Sequence, residues 1–345
     1  MKRVIEQNMA NSDTMEIGND GGPEGSNPVG QICFANASRF VEGHFSEPLT
    51  TYAVGWRDPN KIEDTLEFVA PMVSTGRRFE YAKAVNAEEW MSEGDDVRAI
   101  GSDFKRVEFS QSKVQDKTLN KGLIVRVDED NVDGMPNWRE IYTGRLMRRL
   151  LRNELRRAIT LLLAAATGSN ISGSGLTSGA ATWGSTSDPD VDLLKAVDAF
   201  GDLAGLNANR IIMGFTAWMA RIGSYSNQAG SRGFAGLART LQGVADFAGV
   251  DEVRISRERY QSSLTAKTKI MAAYVIAFLA ESGQTPEDPS SIKRFVSATA
   301  GGTPFRVYEQ RVSTKMIDIS VEHYSKIVCT STLGIQKFLV TPSSS

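Results

Sequence analysis

The sequence predicts an α+β protein: strands gathered around one long helix, with a helix–strand unit inserted into that body. Three observations predict it. Asn137–Ala166 carries the longest helical periodicity in the chain. Arg77–Val85 and Phe104–Val114 alternate polar and apolar residues, the period of two that marks strands. Residues 188–290 switch between helical and strand patterns, and the chain then ends on alternating segments.

The bounds are those of a globular protein. A chain of 345 residues can bury a substantial core, and 41% hydrophobic with 23% charged residues is ordinary for a soluble one. The net charge of −2 sets no global bias toward nucleic acid, so any basic surface is local. Cys33 and Cys329 build no disulfide framework, and there is no CxxC; reduced thiols are the ordinary reading. The N-terminus has no apolar core of a secretory signal. The apolar runs Ala158–Ala166 and Ile270–Ala280 are too short to span a bilayer. A cytosolic origin is expected, and the sequons at Asn36 and Asn170 read as chance.

Taken in order, residues 1–47 are polar, with GNDGGPEGSNP at 18–28, a composition that suits a flexible arm. Ile62–Val73 is a short helix or an extended segment, stopped near Pro71. The alternating stretches Arg77–Val85 and Phe104–Val114 form two antiparallel strands, joined by an acidic tip. Phe79 and Tyr81 share one side of the first. A hairpin with so few core residues holds poorly in water, so it lies against something else. Leu123–Val127 continues as a strand, and Asp128–Gly134 leads into the long helix.

That helix places Trp138, Ile141, Tyr142, Leu146, Leu150, Leu155, Ile159 and Leu162 at helical spacing. Its other side carries Arg139, Arg145, Arg148, Arg149, Arg152, Arg156 and Arg157 against only Glu140 and Glu154. Gly168–Ser187 is low in complexity and reads as a surface loop and boundary. Beyond it come a helix over Val191–Leu203 with Leu194, Val197 and Leu203 on its apolar side, a strand Arg210–Gly214 and a helix Phe215–Ile222. A glycine-rich mobile loop over Tyr225–Gly236 follows, then strands at Glu252–Ser256 and within Ile270–Leu279. Phe305–Val312 and Ile317–Val340 alternate, and are expected to pack as antiparallel strands on the long helix.

Catalytic signatures are missing. No G-x-x-x-x-G-K-[ST] occurs; Gly168–Gly175 has Ser174 in the place of the phosphate-binding lysine. No serine sits in a nucleophile elbow. His44 and His323 are the two histidines, too few for most zinc sites, and His323 falls on a strand face. The pairs Glu88/Glu89 and Asp95/Asp96 lie in a solvated loop, without the contrasting environments that acid–base chemistry needs. No catalytic residue, cofactor or metal is expected.

The arginine face has three readings: a solvated helix side, a docking surface for an acidic segment, or a contact for nucleic-acid phosphates. Like charges at i, i+3 and i, i+4 cost a few tenths of a kcal/mol per pair, which favours a compensating anion. Arginine suits either carboxylate or phosphate, since its fork binds both bidentately. Within the chain the acidic tip supplies Glu88, Glu89, Glu93, Asp95 and Asp96. The expectation is that this tip docks, between subunits, near Arg145, Arg148, Arg149, Arg152 and Arg156.

The order of arm, hairpin, long helix, inserted unit and returning strands resembles the major capsid proteins of tailed bacteriophages, with the HK97 fold, over residues 48–341. The runs DPDVDLLKAVDAFGDLAGLNANRIIMGFTAWMARI at 188–222 and DISVEHYSKIVCTSTLGIQKFLV at 318–340 are similar to that family's axial helix–strand–helix and final strands. The resemblance implies an N-terminal arm at 1–47, the start of a peripheral P domain at 48–76 and an extended E-loop hairpin at 77–115. It then implies P domain at 116–187 with a spine helix at 137–166, an inserted axial A domain at 188–290, and returning P-domain strands with the C-terminus at 291–345. Some members cross-link lysine to asparagine; no motif around Lys83 assigns such a bond here.

What the resemblance implies is a structural protein that self-assembles through pentamers and hexamers into an icosahedral shell around double-stranded DNA. Its partners would be copies of itself, a separate scaffolding protein, a portal, a decoration protein and DNA met without sequence preference, with no membrane. It would be assembled in a host cytoplasm and reside in the virion. An encapsulin-like nanocompartment shell, and an α/β enzyme with its site in 188–290, are the alternatives.

Overall fold

The computed structural model describes residues 44–83, 112–167, 179–228, 230–281, 289–299 and 302–342, with the short pieces 97–98, 100, 103, 171–173 and 176–177. Of the sequence expectations, residues 1–43 of the arm expected at 1–47, Cys33, the acidic tip and all but the end of the strand expected at Phe104–Val114 lie outside the described residues.

Two short helices come first, α1 (Glu47–Gly55) and α2 (Ile62–Val69). Of the two readings left open for residues 62–73, helix holds up to Val69. Beyond it the chain is extended as β1 (Met72–Ser74). Pro71 stands between them, where its missing N–H ends the helix. Next are β2 (Arg78–Lys83), β3 (Ser112–Lys117) and β4 (Leu119–Asp128). β2 and β3 pair antiparallel, Arg78 opposite Lys117 and Lys83 opposite Ser112.

The long helix, α3, runs Trp138–Ala165, about 42 Å at 1.5 Å per residue. Its buried face is wider than the predicted stripe. Met147, Leu151 and Ala158 join Leu146, Leu150, Leu155, Ile159 and Leu162, whereas Ile141 is exposed. Gly144 is its one glycine, and the Trp56 indole of the segment after α1 fills the space. A Cβ on Gly144 would lie 3.0 Å from the indole nitrogen.

A five-stranded sheet covers the first half of α3. Its centre is β15 (Met316–Cys329), with β4 antiparallel on one side and β13 (Ile292–Ser297) and β14 (Phe305–Arg311) in line on the other. β1 adds to β13 in parallel. Ile317, Ile319 and Val321 of β15 point onto Trp138, Leu146, Met147 and Leu150.

The second half of α3 meets a seven-stranded sheet. This sheet contains β7 (Ala180–Trp183), β8 (Arg210–Gly214), β9 (Glu252–Ser256), β12 (Tyr274–Phe278) and β16 (Gln336–Pro342). Two two-residue strands at its edge, β5 (Ser172–Gly173) and β6 (Leu176–Thr177), complete it. Ile212 and Ile276 pack on Leu155, Ile159 and Leu162, while Ile211, Met213 and Val275 face helices on the other side. Those helices are α4 (Pro189–Ala204), α5 (Phe215–Ser226) and α7 (Leu241–Ala248), while the short α6 (Ser231–Leu237) packs on α5. A sheet covered on both faces needs strands apolar at successive residues, which is why 210–214 and 274–278 read as continuous runs. Between β9 and β12 a small hairpin, β10 (Arg259–Gln261) with β11 (Lys267–Lys269), projects beside α3.

Four expectations are corrected. Gly168–Ser187 is not all loop: β7 lies in it, with Ala181 and Trp183 buried in alternation and the Trp183 indole donating to Asp192 at 2.9 Å. The buried stripe of α4 is Leu193, Ala196, Phe200 and Ala204; Leu194 and Leu203 are exposed. Leu193 and Phe200 fill that face together with the alanines between them. Tyr225–Gly236 is not one loop but the end of α5 and most of α6, with Tyr225 buried and its hydroxyl donating to Asp188. The last strands also do not share one sheet. β16 leaves the β15 sheet and inserts between β12 and β7, antiparallel to the first and parallel to the second.

Candidate assembly surface

The arginines of α3 divide into those satisfied inside the chain and those that are not. Arg139 donates to Glu309 at 2.8 Å, and Arg148 to Asp58 at 2.6 Å. Asp58 is fully buried, so Arg148 ties the loop after α1 to the helix. Arg152 reaches Glu258, just before β10, at 3.4 Å. Arg157 pairs with Glu154 one turn back.

Arg145, Arg149 and Arg156 are exposed and make no ion pair among the described residues. Two of them rest on aromatic rings instead. Arg145 lies 5.0 Å from the centre of the Tyr142 ring, and Arg156 lies 3.7 Å above Tyr260 of β10. Such stacking holds a guanidinium plane while leaving its N–H edges outward. The expected acidic counterpart, Glu88, Glu89, Glu93, Asp95 and Asp96, lies outside the described residues.

Glu154 was grouped with the arginine face by sequence and is instead buried, 1% exposed, between α3 and the first sheet. Lys121 of β4 donates to it at 2.8 Å, and Ser325 of β15 at 2.9 Å. His323, equally buried, stands 3.8 Å away. Burial would push the Glu154 carboxyl up; the nearby His323 ring and the hydrogen-bonded Lys121 ammonium outweigh it and hold the group well below the usual carboxylate range. His323 is thus a strand-face residue of the interior, as its place in an alternating run suggested. Cys329 is a thiol whose pKa burial pushes up to about 11, which keeps it protonated and unreactive.

The partners of these groups carried no sequence signal. Asp58 is 90 residues from Arg148, Glu258 is 106 from Arg152, and Lys121 is 33 from Glu154. Distances of that kind arise from the fold and from no local pattern.

The β2–β3 hairpin stands on the sheet at its base. Phe79 stacks on Phe295 of β13 with ring centres 4.2 Å apart, and Tyr81 lies 5.6 Å from the same ring. Val73, Val328 and Val114 close this small cluster. Lys326 of β15 reaches Asp116 of β3 at 3.3 Å. At the opposite end of the first sheet, residues 44–46 lie along β14: Phe45 bridges to Tyr308, and Glu309 donates to the His44 carbonyl.

Among the described residues no three His, Cys, Asp or Glu side chains are grouped to hold a metal ion. No described helix is long and apolar enough to cross a membrane.

No protein-family model and no curated protein matches the chain. Solved structures do. A phage-related protein from Bordetella bronchiseptica is 15% identical, with 87% of this chain and 97% of that one covered, at a TM-score of 0.58. Microbacterium phage Oxtober96 is 12% identical over 81% of this chain and 90% of the other, at 0.46. The SrpI encapsulin complex from Synechococcus elongatus is 11% identical over 78% and 84%, at 0.43. With a hairpin standing on one sheet, a 28-residue spine helix and a second sheet sandwiched between that helix and three others, the chain has the HK97-like α+β capsid fold.

Proposed function

We infer that this chain is the repeating subunit of an icosahedral shell, a tailed-phage major capsid protein that assembles through pentamers and hexamers around double-stranded DNA. The observation that carries the reading is the extent of the fold match, 87% of this chain against 97% of the Bordetella protein. In this reading the β15 sheet and the spine helix form the peripheral domain. The β12 sheet and its helices form the axial one, and β2–β3 is the base of the E-loop.

Three features support it. A two-stranded ribbon does not hold itself in water, and β2–β3 is anchored by one aromatic cluster at its base. Residues 44–46 lie along β14 at a margin of the first sheet. Met219, Phe234, Leu237 and Phe247, on α5, α6 and α7, expose large apolar side chains on the axial unit. Surfaces of this kind suit a subunit that gains stability from many modest contacts multiplied over a closed assembly.

Electron microscopy of the expressed full-length protein tests the reading. Closed shells, with DNA retained after nuclease treatment of the exterior, are the expected result. Shells filled with a protein cargo would assign it to a nanocompartment instead. A monomer that turns over a small molecule would overturn the shell reading.

A further inference from the structure

We propose that Arg145, Arg149, Arg152 and Arg156 form a row on the spine helix that binds the phosphate backbone of double-stranded DNA. The proposal rests on the shell reading and names the surface that would meet the packaged molecule.

The row follows from helix geometry. Positions i, i+4, i+7 and i+11 fall within a stripe about 60° wide and span about 16 Å along the axis. Residues 145–157 hold six arginines and one acid, Glu154, which is buried on the opposite side against Lys121. The adjoining segment 257–269 carries Arg257, Arg259, Lys267 and Lys269 against the single acid Glu258. Arg257, Arg259 and Lys267 are exposed. Glu258 is engaged by Arg152, and Tyr260 supports Arg156. A chain of net charge −2 thus carries a local excess of cations here, with Glu154 turned inward and Glu258 the one nearby acid engaged with the row.

The shape of the patch selects among anions. A compact acidic loop would call for a recess with paired donors. This surface is instead a straight line of charge, and its guanidinium groups at Arg145 and Arg156 are held on rings. A rod with evenly spaced phosphates, about 3.4 Å apart along each strand's axis, presents a matching line of charge. No base-reading element accompanies the row, so the contact is with backbone and independent of sequence.

The test uses full-length protein kept unassembled at low concentration and a fluorescent 30-base-pair duplex of arbitrary sequence. Binding is measured between about 50 and 200 mM salt. The expected wild-type result is weak binding, equal for two unrelated sequences, that falls steeply with salt. Combined Arg145→Gln, Arg149→Gln and Arg156→Gln should reduce the log–log salt slope by about 2.7, at about 0.9 per phosphate lost, and weaken binding at least tenfold. The single change Arg149→Gln, at a residue with no ion-pair partner among the described residues, should reduce the slope by about 0.9. It keeps the test valid if the triple variant misfolds. Arg311→Gln, remote from the row and paired with Glu129, should leave the slope unchanged.

An unchanged slope in both row variants overturns the proposal, and so does tighter binding of a peptide covering residues 86–97 than of the duplex. The second result would make the row the docking surface of the acidic tip. Electron microscopy of the same variants separates the two readings. Intact shells with unchanged DNA binding sink the row and leave the shell, whereas wild-type protein that forms no shells sinks the shell reading itself.

Discussion

Lys121 on β4 donates a 2.8 Å hydrogen bond to Glu154 on the spine helix, and this pair sits where two apolar cores meet. On one side Leu146, Met147 and Leu150 pack on the β15 sheet; on the other Leu155, Ile159 and Leu162 pack on the β12 sheet. A charged pair at such a point is costly to bury, but it defines the position of the helix along β15.

Removing the carboxylate leaves the Lys121 ammonium buried without its counter-charge, whereas removing Lys121 still leaves Glu154 paired with Arg157. Glu154→Gln should therefore lower the unfolding free energy by about 3–5 kcal/mol in urea titration, and Lys121→Met by less. The pH dependence has a definite sign. The Glu154 carboxyl is held below its ordinary value of 4.5 in the folded protein, so its stabilisation is complete above about pH 4.5 and is lost as the pH falls further. The gap between wild type and Glu154→Gln should shrink below that pH; a gap that stays constant down to pH 3 would contradict the assignment.

Arg221 and Asp190 form a second buried pair, bidentate at 2.7 and 2.9 Å, with both side chains essentially inaccessible. Arg221 also donates to the Gly236 carbonyl, which ties α6 to α5. Arg221→Met should cost about 3–5 kcal/mol. Arg239→Met removes the outer arginine of the same carboxylate, which is partly exposed, and should cost only about 1 kcal/mol. Equal losses on thermal unfolding would show that the buried position of Arg221 has no special weight.

Gly214 ends β8, and a Cβ there would fall 1.9 Å from the Ala272 carbonyl oxygen. Backbone cannot yield as a flexible side chain does. Gly214→Ala should destabilise by about 3 kcal/mol or more. Gly55→Ala is the companion measurement, since a Cβ there meets nothing within 4 Å. It should be neutral or stabilising by up to about 1 kcal/mol.

Phe295→Ala removes the ring on which Phe79 and Tyr81 rest. The loss should be about 3–5 kcal/mol, as for other buried phenylalanines. The hairpin should also become sensitive to limited proteolysis within 77–117 before the rest of the chain is cut. Uniform cleavage across the chain would mean that the cluster does not anchor the hairpin separately.

Much of the secondary structure was legible because its signals are local. The helix expected over 137–166 is Trp138–Ala165, and the strands Arg210–Gly214 and Glu252–Ser256 were placed to the residue. The failures have physical reasons. Trp183 anchors β7, yet it lies in a glycine- and serine-rich stretch whose composition imitates a loop. In α4 both faces carry leucines, and the face of Leu194 and Leu203 was chosen over that of Leu193, Ala196 and Phe200, which the sheet covers. Of the candidate surface, the row of arginines was readable and its partners were not.

What the sequence determined by itself is the order of pieces, the α+β class and the concentration of arginine on one helix, because periodicity and composition are properties of neighbouring residues. Only the tertiary structure decided which charges are spent. It buried Glu154 against Lys121 and sent Asp58 and Glu258 to Arg148 and Arg152. It left Arg145, Arg149 and Arg156 facing outward. It also carried β16 out of the β15 sheet and into the other. Ion pairs and strand partners are chosen across tens to hundreds of residues by which surfaces the packed core brings together, and a one-dimensional pattern holds no record of that choice.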